Sequence, residues 1–241
     1  MRRQNESSSE TLMNVEAIVF DLDGTIVDFT LDYKSARAEV IQFLNNQGFP
    51  TSIFSLNETV FEMLRKLEIY IQNQPMSHKN YSELRKHIFT ILEKYELESA
   101  ASTRLVPGIF ETLQTLKKMA FKLGIFTVNS QKSADYILSV FRLKPFFEAV
   151  VTRDSVPDVK PNPMHLETVL RILKAKPEDT LVVGDSVLDM KAAQELKVYF
   201  VGVSTGVSSP EELTRAGVDC LITSPTDLIA VVEKLKQTNS S

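Results

Sequence analysis

Two aspartates, Asp21 and Asp23, follow directly on the apolar run Ala17-Ile18-Val19-Phe20. That run reads as a buried strand. Side chains alternate across a strand, so both acids leave its end on the same side. Carboxylates that close repel, and burying them uncompensated would be very costly. A divalent cation is the simplest remedy. Gly24 permits a sharp turn, and Thr25 is expected to hydrogen-bond across it. A surface strand-to-turn junction can also carry Asp-x-Asp-Gly, but the apolar run in front argues for a central strand.

From Pro107 onward, strand and helix patterns alternate. Strands are expected at 122–127, 147–152, 180–184, 198–203 and 219–222. Helices are expected at 108–120, 131–141, 163–174, 188–196, 210–216 and 225–236. Such alternation means βαβ units and a parallel sheet covered on both faces. Ligands of such sheets bind beyond the carboxyl ends of the strands, where Asp21 sits. Residues 29–104 differ: they hold one glycine, Gly48, and helical runs at Tyr33–Gln47, Leu56–Gln72 and Tyr81–Tyr95, with no convincing strand. A small helical domain is therefore expected inside the sheet domain, directly after its first strand. The expected organisation is a disordered tail at 1–13, a core formed by 14–28 and 105–238, and the helical insertion at 29–104.

Other strand ends carry chemistry-bearing residues. The strand ending at Thr127 is followed by Val128, Asn129 and Ser130, where a hydroxyl and free amides at a helix start suit a phosphate oxygen. Thr127 would serve equally as an ordinary N-cap. Lys160, before Pro161, can supply a cation to a phosphate or be a solvated loop lysine. Leu181-Val182-Val183-Gly184 delivers Asp185 at its end, and Asp189 lies four residues on, near Asp185 if a helix has begun. Either acid could also cap that helix.

Asp-Leu-Asp-Gly-Thr, a strand-terminal Thr, Lys-Pro and Gly-Asp-x-x-x-Asp occur in that order. Together they resemble the four motifs of the haloacid dehalogenase (HAD) superfamily in its phosphatase form, over Val15 to Leu235. Val203-Ser204-Thr205-Gly206, Ser209-Pro210-Glu211-Glu212-Leu213 and Ala216-Gly217-Val218-Asp219 look like its phosphoglycolate-phosphatase-like branch. One departure is Thr127-Val128-Asn129, where many members have Thr-Asn directly. The resemblance implies an α/β fold: a Rossmann-like three-layer parallel sheet as core, with 29–104 as an inserted all-helical C1 cap. It implies a phosphatase acting on a small phosphomonoester, phosphoglycolate- or sugar-phosphate-like. Asp21 would be the nucleophile and Asp23 the general acid and base. Mg²⁺ would be held by Asp21, the main-chain carbonyl of Asp23, and Asp185, with Asp189 behind them or reached through water. Thr127, Asn129 and Lys160 would bind the phosphoryl oxygens. Asp28 would hold the loop between core and cap. Tyr33, Lys34 and Arg37 are candidate substrate contacts from the cap, or else a solvated helix face. Dehalogenases of the superfamily lack the second Asp, so Asp23 argues for phosphoryl transfer. A phosphomutase of the β-phosphoglucomutase type shares it, and a non-catalytic regulatory protein on the same fold is the third reading.

Composition excludes some alternatives. A net charge of −4 gives no electrostatic grip on nucleic acid. No apolar stretch approaches the ~20 residues of a membrane helix. The N-terminus is polar and Ser-rich without the apolar stretch of a secretory signal. The single cysteine, Cys220, fits a reducing, cytoplasmic setting, forms no internal disulfide, and reads as buried filler. His78, His87 and His165 show no metal-ligand spacing and read as surface or packing residues. Oligomeric state is not encoded in any feature of the chain.

Overall fold

A computed structural model describes residues 14–28, 31–74 and 80–237. The expected disordered tail and His78 lie outside the described residues. In chain order the first elements are β1 (Ala17–Phe20), β2 (Val27–Asp28), α1 (Tyr33–Asn46), α2 (Val60–Gln72), α3 (Tyr81–Ala100), β3 (Arg104–Leu105) and α4 (Ile109–Lys118). There follow β4 (Lys122–Phe126), α5 (Gln131–Val140), β5 (Ala149–Val151), α6 (Pro163–Leu173), β6 (Thr180–Gly184) and α7 (Val187–Glu195). The chain ends with β7 (Tyr199–Val203), α8 (Pro210–Ala216), β8 (Cys220–Ile222) and α9 (Leu228–Gln237). Contacts divide the chain into two compact units.

The first unit spans 1–28, 105–128 and 141–241. Its sheet has six strands in the order β5-β4-β1-β6-β7-β8, all parallel. β1 is central: Ala17 to Phe20 pair with Lys122 to Ile125 on one side and Thr180 to Val183 on the other. Every residue of β1 and β6 is buried, as near-continuous apolar runs in a parallel sheet require. The chain runs outward from β1 through β4 and β5, then returns to lay β6, β7 and β8 on the far side of β1. With right-handed crossovers, that reversal puts helices on both faces of the sheet. The fold is thus α/β and Rossmann-like, as the motifs imply.

Local signals fix the helix starts. Pro163 opens α6 behind Asn162, whose side chain accepts from the Met164 amide. Ser186 with Asp189, and Ser209 with Glu212, form capping boxes on α7 and α8. On the edge strand β8, Cys220 is only partly buried, which corrects the reading of it as core filler: one flank of this strand has no neighbour. Burial still pushes its thiol up, away from the reactive thiolate.

The second unit comprises 29–104 and 129–140, with its own apolar core including Val40, Leu44, Phe49, Met63, Leu67 and Ile88. α2 starts at Val60 rather than Leu56, because Thr59 and Glu62 close a capping box there. α3 continues five residues past Tyr95, to Ala100. α5 groups with this unit, where the sequence pattern puts it with the strands. The reason is its packing along α3, with Lys132 Nζ 3.0 Å from Glu93 Oε1.

Gly124 of β4 sits under α6: a Cβ there would come within 2.6 Å of Val169 Cγ1 and 3.1 Å of Leu173 Cδ1. Gly124→Val should lower unfolding stability by about 1–3 kcal/mol through overpacking, read as a lower urea midpoint at unchanged slope. An unshifted midpoint would show that α6 does not pack this tightly on β4.

Candidate active site

The strand order reverses between β1 and β6, the place where sheets of this type bind ligands. Asp21 leaves β1 there and Asp185 leaves β6. The Asp21 amide donates to Val183 O (2.9 Å), so the end of β1 is pinned to β6. One oxygen from each of Asp21, Asp185 and Asp189 falls within a 4.8 Å cluster, and all three residues are buried.

One buried ammonium faces these acids. Lys160 Nζ lies 2.5 Å from Asp21 Oδ1 and 2.5 Å from Asp189 Oδ1. It also lies 4.5 Å from the centroid of the Phe126 ring. Asp189 Oδ2 accepts from the amide (3.0 Å) and hydroxyl (2.6 Å) of Ser186. Both oxygens of Asp189 are therefore engaged by protein, and it positions Lys160 rather than offering a free ligand atom. Gly184 lets α7 come this close, since a Cβ on it would sit 2.7 Å from Asp189 Cβ.

Asp185 is held as tightly. Its Oδ2 accepts from the Val207 amide (2.6 Å) and its carbonyl from the Ser208 amide (3.1 Å). A Cβ on Gly24 would come within 2.3 Å of Asp185 Oδ2, and one on Gly206 within 2.0 Å of Asp185 Cβ. Gly24 also has φ +75°, which a side chain would strain.

The electrostatics follow from three buried carboxylates sharing one cation. Burial, then Asp189, Asp185 and Asp23, push the Asp21 carboxyl well above the usual range against the pull of Lys160. Burial and Asp189 push Asp185 up to about 6, opposed by the Val207 amide and Lys160. Burial alone would pull Lys160 down, but Asp189 and Asp21 outweigh it and hold the ammonium above its usual value. The donor set is all oxygen, hard, and short of positive charge, which fits Mg²⁺. Asp21 and Asp185 are the side chains that could hold it.

The remaining candidates are distributed as follows. Asp23 is half-buried and outside the carboxylate cluster, so the two motif acids have different surroundings. Thr25 does not bond across the turn: its Oγ1 is buried with no hydrogen-bond partner among the described residues. Main chain closes the turn instead, through Gly24 N to Val27 O (2.8 Å) and Ile26 N to Leu22 O (2.9 Å). Asp28 is exposed on β2. Thr127 is fully buried, and its amide donates to Val151 O (3.0 Å). Asn129 is buried and belongs to the helical unit. In that unit Tyr33 and Lys34 are exposed, while Arg37 lies over the Tyr33 ring (5.6 Å) and donates to Leu56 O (3.0 Å). His87 stacks on Phe43, with Nδ1 2.9 Å from Glu83 O.

His165 is a residue whose role spacing did not disclose. It is fully buried; its Nε2 donates to Val151 O (3.1 Å), leaving Nδ1 to accept from the Lys160 amide (3.3 Å). Burial and the Lys160 ammonium push it down to about 4, so the ring stays neutral. It packs, as expected, but it also orients the lysine.

Asp185 makes a testable link between site and stability. Its folded value of about 6 lies above the ordinary ~3.9, so the native state holds its proton more tightly. Stability therefore falls as pH rises from ~4 to ~6, and the penalty, at most about 3 kcal/mol, is fully present above 6. His165, pushed down to about 4, works in the opposite direction, losing stability as pH falls below ~6.5. The comparison must therefore be between variants. In chelator at pH 8, Asp185→Asn should unfold at higher denaturant than the native chain, with the gap narrowed to roughly half at pH 5. Added Mg²⁺ should reverse the order by lifting only the native chain. Equal stabilities at both pH values would refute a strained Asp185.

The family model of haloacid dehalogenase-like hydrolases matches residues 18–203. Pyrophosphatase PpaX of Bacillus mycoides (strain KBAB4) is 29% identical over 231 residues, 92% of this chain and 99% of that protein. A "predicted phosphoglycolate phosphatase" from Haemophilus somnus 129pt has the same fold, with TM-score 0.63 at 20% identity over 92% of this chain and 100% of its own. So does β-phosphoglucomutase from Clostridium difficile, with TM-score 0.65 at 19% identity over 94% and 100%. The family match spans most of the chain and takes in every strand end that delivers a buried acid or the buried lysine, and the chain belongs to the haloacid dehalogenase-like hydrolases.

Proposed function

We propose that this hydrolase is a Mg²⁺-dependent phosphatase of the phosphoglycolate-phosphatase-like branch, cleaving a small phosphomonoester in the cytoplasm. The observation that carries the reading is the Asp21–Lys160–Asp189 ion triad beside Asp185, at the reversal point of the sheet. An intact set of this kind, with a nucleophile, a fixed cation and a cation-seeking acid pair, has no structural purpose that a neutral core would not serve better.

In the first half-reaction the Asp21 carboxylate attacks phosphorus and the bond to the leaving oxygen breaks. Asp23, the less buried of the pair, donates a proton to that oxygen. The product is an aspartyl-phosphate on Asp21. Asp23 then takes a proton from water, which attacks phosphorus, releasing phosphate and restoring Asp21. Mg²⁺ held by Asp21, the carbonyl of Asp23, and Asp185 would supply the positive charge that keeps both carboxylates ionised and draws charge from the phosphoryl oxygens. Lys160 opposes the charge on the transferring group. Thr127 and Asn129 donate hydrogen bonds to it. Asp189 holds Lys160 at Asp21. The helical unit acts as a C1 cap, with Tyr33, Lys34 and Arg37 as contacts for the leaving group and Asp28, on β2, holding the connecting loop.

The phosphomutase reading uses the same Asp21 and Asp23 and differs only in the acceptor of the phosphoryl group. Product analysis separates the two. Phosphate release is measured on phosphoglycolate, sugar phosphates and, because a relative is named a pyrophosphatase, pyrophosphate. Release is expected to need Mg²⁺, to stop in chelator, and to fall by at least about a thousandfold, some 4 kcal/mol of transition-state stabilisation, in Asp21→Asn. Isomerisation of a sugar phosphate without phosphate release would favour the mutase. Release that survives Asp21→Asn would overturn the nucleophile assignment.

A further inference from the structure

Glu96, near the end of α3, is a buried acid that no step above uses, at 4% exposure. Its Oε2 accepts from the Ser130 amide at 3.0 Å. Ser130 in turn caps α5, its Oγ accepting from the Ser133 amide at 3.2 Å. The residue directly before Ser130 is Asn129. On the other flank, the carbonyl of Val128 accepts from Arg153 Nη1 at 3.0 Å, and Arg153 is 1% exposed. The peptide groups on either side of Asn129 are therefore each held by a buried ionic side chain, an acid on the amide and a guanidinium on the carbonyl. This is the stretch where Val128 separates Thr127 from Asn129. Charged side chains are almost never this deeply buried without a specific partner. Hydrogen bonds to charged groups are the stronger kind.

We infer that Glu96 is a positioning residue for Asn129: by fixing the Ser130 amide it sets the backbone from which Asn129 reaches phosphate, while Arg153 fixes the preceding carbonyl. This rests on the proposed phosphatase reading, in which Asn129 binds the phosphoryl group.

Reach and charge can be separated at this position. Glu96→Asp keeps the charge but is one methylene short of the Ser130 amide. Glu96→Gln keeps the reach and an accepting oxygen. KM for the best substrate and the inhibition constant of inorganic phosphate are measured with Mg²⁺ for the native chain, Glu96→Asp, Glu96→Gln, Asn129→Ala and the Glu96→Asp/Asn129→Ala pair. Thermal melting checks folding. Glu96→Asp is expected to raise both constants about tenfold, the worth of one charge-assisted hydrogen bond, with kcat changed far less. Glu96→Gln should fall between Glu96→Asp and the native values, since it keeps the accepting oxygen but not the charge. The double variant should be no worse than Asn129→Ala alone, because both act through one side chain. Additive effects, or a Glu96→Asp chain that melts lower with KM and phosphate inhibition unchanged, would overturn the positioning role while leaving the phosphatase reading intact. A native chain that releases no phosphate from any compound would overturn both.

Discussion

One ammonium serving two carboxylates is the interaction on which the rest of the first unit depends. Lys160 touches Asp21 and Asp189 at 2.5 Å each, inside a protein that gives none of the three more than a few per cent exposure. Removing one partner of a buried pair strands the other charge, at a cost of about 3–5 kcal/mol. Each neighbour is accordingly constrained. Ser186 occupies the second oxygen of Asp189. His165 fixes the backbone at Lys160, and Gly184 makes room for Asp189. These constraints come from three different stretches of chain, around Asp21, Lys160–His165 and Gly184–Asp189, and only a sheet whose strands β1 and β6 lie side by side unites them.

The count of charges explains why the site is a functional one rather than a staple. Three carboxylates against one ammonium leave two negative charges unbalanced, and burial with Asp189 pushes Asp185 up to about 6. A fold selected for stability alone would replace it by an apolar group. Instead, Gly24 and Gly206 forgo side chains so that the Asp185 carboxylate fits between them, and Val207 offers it an amide. The protein keeps a charge it can satisfy only in part, in the position where a divalent cation would complete it. Structural cost concentrated at one point, with consistent propensity elsewhere, marks a site under functional demand.

What was legible in the sequence was what local chemistry decides. The strand Thr180–Gly184 and the helix Pro210–Ala216 appear with the expected bounds, because an uninterrupted apolar run and a Ser-Pro-Glu-Glu start each dominate their surroundings. Asp21, Lys160, Asp185 and Asp189 could be singled out because they stand at strand ends or helix starts. Hidden from the sequence was whatever needs the fold to close. α3 outruns its periodic pattern because Glu96 and Ser99 turn toward buried surroundings that no periodicity announces. Thr25 loses its expected bond because main-chain groups close the turn first. Cys220 is apolar in type yet only partly buried, since whether a strand lies at the edge is a property of the sheet order. His165 needs Val151 and Lys160, 14 and 5 residues away, to become an orienting group.

The stretch from Thr127 to Ser130 shows how buried charges can fix a connecting loop. A loop placed between a strand and a helix is ordinarily the softest part of a βα unit. Here each peptide on either side of Asn129 is tied to a buried charge, Arg153 at the carbonyl and Glu96 at the amide. Each hold lies within one compact unit, Val128 with Arg153 and Ser130 with Glu96. Arg153 follows β5 in the first unit, whereas Glu96 belongs to the inserted helices. Ordering that is done when a chain folds need not be done again when a ligand binds. A longer loop before Asn129 would otherwise add freedom. Two buried ionic anchors remove that freedom.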